Sequence, residues 1–295
     1  MNVAVLGTGI MGGAMARRAA RAGLRASAWS RPLEDARRLQ GEGVRVAETA
    51  REAAAGADVV VTMAPDAEAI AGFAAGVDGF LGAVESGGIQ GGTAAVWAQC
   101  ATVGLDGCEL LAGLAAEAGV AFVDAPVLGT REPAERGELV VLGSGPDWAL
   151  DRCAPFLEAI GRRTLRLGDA GAGTRLKLVT NDWIVGVMAV LAESMSLAEA
   201  LSVDGRVFLD AIAGSAVDMG YAQSKGRMML EGAYPASMPL AHAAKDARLA
   251  AEAADRHGLE HAVTRAAAEL LKRAAARADP AEDMAAVFRA VGCQA

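Results

Sequence analysis

Two polar residues near the middle of the chain, Lys177 and Asn181, have side chains and a spacing that could support proton transfer. Positions four residues apart project from the same face of a helix. A lysine ammonium within hydrogen-bond reach of a reacting oxygen can act as a general acid or base, and an asparagine can orient the substrate hydroxyl or the lysine. Lys177 alone, at the start of an apolar helix, would favour a side chain that only extends into water. Gly171 and Gly173 before it, together with Asn181 after it, favour the catalytic interpretation.

A glycine-rich turn near the beginning of the chain has the pattern of a phosphate-binding loop. Gly7, Gly9 and Gly12 directly follow the apolar strand Val3–Leu6 and open a helix. Such glycines allow, in turn, a sharp exit from the strand, a close approach of the backbone to a pyrophosphate, and close packing of the helix on the strand. The N–H groups and dipole of the helix start hold the anion. We therefore predict a dinucleotide cofactor, with binding residues Gly7, Thr8, Gly9, Ile10, Met11 and Gly12.

The residues at the end of the second strand indicate which dinucleotide binds. An NAD site usually has an acidic residue here that binds the ribose 2′-hydroxyl. This chain instead reads Trp29-Ser30-Arg31-Pro32, and its next acidic residue is Glu34. A hydroxyl at Ser30 and a guanidinium at Arg31 suit a 2′-phosphate better, so we predict NADP in preference to NAD. The alternative is that Arg31 is an ordinary solvated surface residue.

Short apolar runs alternate with helical stretches, such as Leu110–Ala118, in the first half of the chain. This alternation predicts an α/β fold with a doubly wound parallel sheet of the Rossmann type. The predicted strands are Val3–Leu6, Ala26–Trp29, Asp58–Met63, Ala94–Ala98, Ala121–Asp124 and Leu139–Leu142.

The second half of the chain predicts an all-α domain. From Gly168 onward it is rich in Ala, Leu and Met, and we predict no strand there. Thr174–Leu201 has no proline and one glycine, which predicts a helix of roughly 40 Å. Because its middle is apolar on every side, we expect burial all round, for which a partner subunit is one route. We predict an NADP-binding domain at residues 1–168 and a helical substrate and dimerisation domain at residues 169–295, joined by this long interdomain helix, in a homodimer or homotetramer.

Composition argues against several function classes. The net charge is −8 with no basic block, so a nucleic-acid partner is not expected. No signal-peptide pattern precedes the first strand, and the longest later apolar run is about half a membrane span, so a cytoplasmic location without membrane insertion is expected. The four cysteines form no C-x-x-C pair, which is typical of reduced thiols. The three histidines lack metal-ligand spacing, so no metal is expected.

Taken together, these motifs resemble the β-hydroxyacid dehydrogenase family, which includes 3-hydroxyisobutyrate dehydrogenases and glyoxylate/succinic semialdehyde reductases. The resemblance extends over nearly the whole chain. Gly7–Met15 resembles the family's glycine turn, Trp29–Arg31 a stretch of its NADP-preferring members, and Gly171–Asn181 its catalytic segment. This resemblance implies that Lys177 and Asn181 are catalytic. Pro133–Leu139 is most similar to the glyoxylate/succinic semialdehyde reductase branch.

Three shorter blocks of the resemblance imply further cofactor contacts. Asp58–Asp66 implies that Met63, Ala64 and Pro65 lie against the cofactor, with a purely structural strand end as the alternative. Ala101–Val103 implies that the Thr102 hydroxyl touches the nicotinamide side, although Thr102 suits a turn equally well. Lys245-Asp246 implies that Lys245 approaches the cofactor or substrate, with a surface ion pair as the alternative.

The segment Asp124–Thr130 resembles the loop with which the family grips a substrate carboxylate through backbone N–H groups and a hydroxyl. It implies that Leu128, Gly129 and Thr130, together with Lys177, contact a small carboxylate-bearing substrate. Such a substrate is a β-hydroxyacid or its aldehyde or keto acid, for example 3-hydroxyisobutyrate, glyoxylate or succinic semialdehyde. The chain departs from the family pattern at Leu128, where serine is frequent, and at Asp182, where asparagine is frequent.

Two other functions remain open at this point. Imine reductases of the same superfamily share the glycine turn and the helical second domain, but they usually carry Asp or Tyr at the position of Lys177 and lack the carboxylate loop. The other alternative is a non-catalytic NADP-binding protein of the same fold. Retention of both Lys177 and Asn181 argues against it.

Overall fold

The computed structural model describes residues 1–84 and 95–291 and divides into two compact units, Met1–Lys177 and Leu178–Ala295. The division lies inside a long helix, whereas the sequence interpretation places it just before that helix. The first turn of the helix is counted with the first unit because it packs against the strands there, as described below.

The first unit is built around a six-stranded parallel sheet of order β3-β2-β1-β4-β5-β6. These strands are β1 (Asn2–Leu6), β2 (Arg25–Trp29), β3 (Val44–Val46), β4 (Val59–Thr62), β5 (Val96–Gln99) and β6 (Ala121–Asp124). The strand order reverses between β1 and β4. A parallel sheet has its ligand crevice at such a reversal, outside the carboxyl ends of the strands. The predicted doubly wound α/β fold is confirmed.

Helices cover both faces of this sheet, and β1 contributes to both cores. Val3 and Val5 belong to one apolar cluster, while Ala4 and Leu6 belong to the other, because successive side chains of a strand point to opposite faces. The helices of the first unit are α1 (Ile10–Arg21), α2 (Leu33–Arg37), α3 (Ala50–Ala54), α4 (Ala67–Ala74), α5 (Gly104–Glu117), α6 (Arg131–Arg136) and α7 (Asp147–Ile160), with a 3-10 helix at Phe80–Ala83. The predicted helix Leu110–Ala118 falls almost entirely within α5.

A second, three-stranded sheet corrects one part of the sequence interpretation. It consists of β7 (Val127–Leu128), β8 (Leu139–Gly143) and β9 (Gly161–Arg166), in that order. We expected Leu139–Leu142 to belong to the parallel sheet, but β8 pairs antiparallel with β7 and parallel with β9. The connection from β7 to β8 holds only the short α6, and a parallel return needs a crossover of about a dozen residues or more.

Two strands lack the apolar pattern by which the others were predicted. The outer strand β3 is only three residues long. The outer strand β9 carries three arginines and is largely exposed or half-buried. Both lie at sheet edges, where a strand is partly exposed and so does not need an apolar sequence.

The second unit is helical, as predicted. Its described residues contain no strand, apart from an isolated bridge between Pro239 and Asp283. The long helix α8 (Ala172–Ala200) contains the division between the units. It is followed by α9 (Gly205–Ile212), α10 (Gly220–Glu231), α11 (Leu240–Arg256) and α12 (Ala262–Arg277), and by a 3-10 helix at Met284–Ala290.

Helix α8 has one buried face and one exposed face, so the expectation of burial all round is wrong for the single chain. The buried residues recur at helical spacing and include Asn181, Val185, Met188, Ala192 and Met195. The exposed apolar residues are Val179, Trp183, Val190 and Leu197, each 56–66% exposed. By length and composition alone α8 is also apolar enough to cross a membrane, a test that core helices of globular proteins pass as well.

Candidate functional site

The glycine turn lies at the carboxyl edge of the parallel sheet, between the ends of three strands. The Gly7 N–H donates to the Trp29 carbonyl at 2.8 Å, which ties the turn to the end of β2. Gly7 has φ +93°, and a Cβ there would lie 2.2 Å from the Met63 carbonyl oxygen. A Cβ on Gly12 would lie 1.9 Å from the Gly7 carbonyl oxygen. Only glycine therefore allows the turn, the start of α1 and the end of β4 to pack together.

The turn has room and polar groups for a pyrophosphate. A Cβ on Gly9 would meet nothing within 4 Å, so the space in front of the turn is open. The Thr8 hydroxyl is buried and has no hydrogen-bond partner, an unsatisfied polar atom of the kind that a bound group would satisfy. Helix α1 has no acidic residue in its first turn, so nothing there repels an anion. The residues of this turn fit the predicted dinucleotide.

Ser30 and Arg31 follow β2, beside the glycine turn. The Ser30 hydroxyl oxygen accepts a hydrogen bond from the Thr8 N–H at 3.1 Å, and its own proton remains able to donate. Arg31 is exposed, with its guanidinium carbon 5.9 Å from the centre of the Trp29 ring. One hydroxyl donor and one guanidinium thus lie at the strand end where the adenosine ribose binds in folds of this kind.

Two further loops reach the same edge of the sheet. Met63, Ala64 and Pro65 directly follow β4, and a Cβ on Gly7 would lie against the Met63 carbonyl, as given above. Thr102 lies half-buried between β5 and α5. Its loop is held by the buried Gln99 side chain, which accepts from the Ala101 N–H and donates to the Ala101 carbonyl. The sequence interpretation did not single out Gln99.

The segment that resembles a carboxylate-binding loop has an exposed centre. Leu128 and Thr130 are half-buried, and Gly129 between them is exposed with φ +123°. Thr130 immediately precedes α6, but its side chain does not cap that helix. L side chains rarely adopt the φ of Gly129, so glycine is strongly favoured here. The backbone of this segment is therefore accessible to a small anion.

Asp124, the first residue of that segment, faces a different partner. It is fully buried, and its Oδ2 and Oδ1 accept from the Thr174 N–H and hydroxyl at 2.7 and 2.8 Å. Burial raises the pKa of Asp124 above its usual value, and hydrogen bonds from Thr174 and Ser144 offset only part of that rise. Ser144 in turn accepts from the Gly173 N–H at 2.9 Å. Both acceptors therefore bind the first turn of α8, and half-buried Lys177 lies one turn further along.

In the second unit, Asn181 belongs to a buried polar cluster. Asn181 Nδ2 donates to Asp246 Oδ2 at 2.8 Å, and both residues are at most 5% exposed. Lys245 Nζ lies 2.7 Å from Asp246 Oδ1, an ionic contact without hydrogen-bond geometry. Asp246 thus orients the Asn181 amide. The sequence signal for Asp246 was its place beside Lys245.

Asp182, where the chain departs from the family pattern, has a structural partner. It accepts a hydrogen bond from the Thr264 hydroxyl, and Thr264 Oγ1 lies 3.1 Å from His261 Nδ1. The carboxylate therefore links α8 to the beginning of α12.

A buried ion pair supports the segment before α11, the helix that carries Lys245. Lys225 Nζ lies 2.6 Å from Asp283 Oδ1, and the other carboxylate oxygen accepts from the backbone and hydroxyl of Ser237. Burial would raise the pKa of Asp283, but its hydrogen bond to Lys225 and the charge of that lysine hold it below its usual value. Neither residue was singled out from the sequence.

The described residues contain neither a metal-ligand cluster nor a low-pKa thiol. Within the described ranges no cluster of three His, Cys, Asp or Glu side chains could hold a metal ion. Cys100, Cys108 and Cys153 are free and buried, while Cys293 lies outside the described residues. Burial raises the pKa of Cys108 and of Cys153 to about 12, which keeps both thiols protonated near neutral pH.

Comparison with known protein families divides the chain at the start of α8. Residues 2–168 match the NAD binding domain of 6-phosphogluconate dehydrogenase. Residues 171–291 match the family described as NAD-binding of NADP-dependent 3-hydroxyisobutyrate dehydrogenase.

Individual proteins resemble the chain over almost its whole length. Glyoxylate/succinic semialdehyde reductase 2, a chloroplastic protein of Arabidopsis thaliana, is 31% identical over 99% of this chain and 79% of its own length. The Mycobacterium tuberculosis 3-hydroxyisobutyrate dehydrogenase, solved with L-serine, is 26% identical with a TM-score of 0.83 over 99% of both chains. A Streptomyces aurantiacus imine reductase is 20% identical with a TM-score of 0.66 over 98% of this chain and 99% of its own, a likeness of fold alone.

Proposed function

Because the chain belongs to the β-hydroxyacid dehydrogenase family and is an NAD(P)-binding oxidoreductase of that family, we propose that it interconverts a small carboxylate-bearing hydroxyacid with its aldehyde or keto acid. The nicotinamide cofactor supplies or accepts the hydride when bound. Lys177 is the general acid or base that protonates or deprotonates the reacting oxygen. The observation that carries this proposal is the half-buried position of Lys177 one turn after a helix start fixed on the carboxyl ends of β6 and β8.

The substrate class rests on the loop that includes Leu128, Gly129 and Thr130. An exposed glycine in a left-handed conformation presents backbone N–H groups to an anion, and the Thr130 hydroxyl adds a donor. We also propose that Asn181, whose amide is oriented by Asp246, is the second catalytic residue, as the family resemblance implies. The names of the relatives support this class, since glyoxylate, succinic semialdehyde and the L-serine of the mycobacterial structure all carry a carboxylate.

A substrate panel tests the reaction and the need for a carboxylate together. We expect NADPH oxidation with glyoxylate or succinic semialdehyde, or NADP⁺ reduction with 3-hydroxyisobutyrate, followed by absorbance. Butyraldehyde, which lacks the carboxylate of succinic semialdehyde, should have a kcat/KM lower by about 100-fold, because a charge-assisted bidentate contact contributes about 3 kcal/mol. Higher activity on cyclic imines than on any of these acids would favour the imine reductase alternative.

We propose NADP as the preferred cofactor. Arg31 is an exposed cation at the end of β2, and Ser30 can donate its hydroxyl proton. No acidic residue stands at that strand end before Glu34. The 2′-phosphate of NADP would therefore find hydrogen-bond donors at this strand end. The ribose 2′-hydroxyl of NAD would lack the carboxylate that usually binds it.

Arg31→Ala should lower kcat/KM for NADPH by roughly 10- to 100-fold and change that for NADH by less than about threefold, because the lost contact is to the 2′-phosphate. Steady-state kinetics with both cofactors measure the ratio of kcat/KM for NADPH to kcat/KM for NADH. Arg37→Ala is the matched control, because Arg37 is also exposed but pairs with Glu34 and Glu48. An equal loss with NADPH and NADH would contradict the assignment.

We also propose that a second copy of the chain covers the exposed face of α8, in a homodimer or homotetramer. Val179, Trp183, Val190 and Leu197 line that face for almost its whole length. Large apolar side chains that recur along one exposed helix face are typical of a protein–protein contact. The cysteine pattern and the absence of a basic block support a cytoplasmic protein without a nucleic-acid partner.

Trp183→Glu should convert the oligomer largely to monomer at equal protein concentration, because loss of a buried interface tryptophan typically costs about 2 kcal/mol or more. Sedimentation velocity measures the change. Val77→Glu is the control, since Val77 is 85% exposed in the first unit and lies outside α8. A monomeric wild-type protein, or a Trp183 variant that assembles normally, would contradict this interface.

A further inference from the structure

Helix α8 begins without a capping side chain of its own. The residue before it is Gly171, with φ +92°, which has no side chain to accept hydrogen bonds from the first turn. A helix start leaves about four N–H groups without partners, and a nearby Ser, Thr, Asp or Asn usually accepts from one of them. This helix start therefore depends on acceptors from elsewhere in the chain.

Two residues distant in sequence supply those acceptors. Asp124, at the end of β6, accepts from the Thr174 N–H at 2.7 Å and from its hydroxyl at 2.8 Å. Ser144, just after β8, accepts from the Gly173 N–H at 2.9 Å and donates to Asp124 Oδ2 at 3.2 Å. All three polar side chains in this network are at most 3% exposed. Every side-chain oxygen of these three residues has a hydrogen-bond partner within the protein.

The backbone of the helix start also touches the strand ends directly. A Cβ on Gly173 would lie 2.2 Å from the Leu142 carbonyl oxygen and 3.0 Å from the Asp124 carbonyl oxygen. Gly173 is therefore required for this approach, and Gly171 for the turn before it. The two glycines that precede Lys177 in the sequence thus serve the position of the helix.

We propose that Asp124 is the positioning residue of Lys177: it anchors the first turn of α8 on the carboxyl edge of the sheet, and so fixes where the lysine ammonium lies. Lys177 is three residues after Thr174, a rise of about 4.5 Å along the same helix. Asp124 is fully buried and its carboxylate is bonded to Thr174 and Ser144, so we assign it no contact with substrate or cofactor, although it opens the segment that resembles the carboxylate loop. This inference rests on the proposed function of Lys177.

Three substitutions separate the effect of the Asp124 hydrogen bonds from the effect of its negative charge. Asp124→Ala removes every side-chain acceptor. Asp124→Asn keeps the shape, because its oxygen can still accept from the Thr174 N–H while its amide donates to the Thr174 hydroxyl, but it removes the negative charge. Thr174→Val removes one hydroxyl donor and is the mild variant if Asp124→Ala does not fold. Asp204→Ala is the matched control, since Asp204 caps α9 by accepting from the Arg206 N–H at 2.8 Å.

Two measurements together decide the proposal. We expect amide hydrogen exchange at residues 173–177 to become at least about tenfold faster in Asp124→Ala, because the Thr174 N–H loses its acceptor and the turn that this bond anchors opens more often. With any substrate that the panel identifies, kcat of Asp124→Ala should fall by roughly 10- to 100-fold while the NADPH Kd changes little, since a misplacement of about 1 Å costs on that order. Asp124→Asn should restore most of kcat, Thr174→Val should lose a few-fold, and Asp204→Ala should change neither measurement.

Unchanged hydrogen exchange at residues 173–177 in both Asp124→Ala and Thr174→Val would contradict the proposal that Asp124 anchors the first turn of α8. Faster exchange with unchanged kcat would overturn the positioning role, as would an equal loss of kcat and of NADPH binding. The failure of the proposed function is separate: a wild-type protein inactive on the whole panel would contradict that function. The exchange rates would still decide whether Asp124 holds the helix.

Discussion

Lys177→Ala is expected to lower kcat by about three orders of magnitude and to leave the NADPH Kd within about twofold of the wild-type value. The ammonium is the proposed proton donor to the reacting oxygen during reduction, and alanine has no proton to give. The groups that fit the cofactor lie in the glycine turn and at the strand ends, and none of them is replaced. Stopped-flow or steady-state absorbance of NADPH measures kcat, and calorimetric titration measures the Kd.

Lys177→Arg distinguishes proton transfer from simple charge. Arginine keeps the positive charge, but it stays protonated at every working pH and cannot exchange the proton as a base. We therefore expect Lys177→Arg to be nearly as inactive as Lys177→Ala. A role limited to electrostatic attraction of the substrate would instead let the arginine variant recover most of the activity, mainly through KM.

Arg175→Ala is the matched control for these variants. Arg175 is a cation of the same helix turn, but it is exposed. Its removal should change kcat by less than about twofold. Wild-type turnover by Lys177→Ala would rule out the lysine mechanism and favour either another proton donor or the non-catalytic alternative.

The fold was largely predictable from the sequence because its strands are buried on both faces. Val59–Thr62, for example, is apolar throughout its first three residues and fully buried, so its pattern is unmistakable. The strand β9 was not predictable, since a half-exposed edge strand can carry three arginines. The partner of β8 was also missed, because strand order depends on the length of the connection from β7, and the apolar pattern of β8 is the same in either sheet.

The candidate site was predictable where a residue's role depends on its immediate neighbours. Gly7, Gly9 and Gly12 serve one local turn, and their spacing directly after an apolar strand and at the start of a helix indicates that turn. The role of Asp124 depends on Thr174, which lies 50 residues away, and no local pattern reveals such a contact. Asp246 is similar, because its hydrogen bond to Asn181 joins residues 65 positions apart. Long-range polar pairs are thus the part of the site that needed the structure.

Gly9→Ala is expected to raise the NADPH Kd on the order of 100-fold, about 2.7 kcal/mol, without changing the Tm. Gly9 has φ −61°, which alanine adopts without strain, and its Cβ would meet nothing within 4 Å of the protein. The added methyl therefore does not disturb the fold. It would occupy the open space through which the pyrophosphate approaches the N–H groups of α1, and those charge-assisted contacts would be lost. Calorimetric titration of NADPH and thermal unfolding measure the two effects.

Gly12→Ala should behave differently from Gly9→Ala, and this difference tests whether the glycine turn binds the pyrophosphate. A Cβ on Gly12 would lie 1.9 Å from the Gly7 carbonyl oxygen, so Gly12→Ala must displace α1 and should lower both the Tm and the NADPH affinity. Gly113→Ala, at an exposed position of α5 with nothing within 4 Å, controls for adding a methyl group and should lower neither. If Gly9→Ala binds NADPH as tightly as the wild type, the open space at the turn does not receive the pyrophosphate. The dinucleotide site would then have to lie elsewhere, whatever the stability of Gly12→Ala.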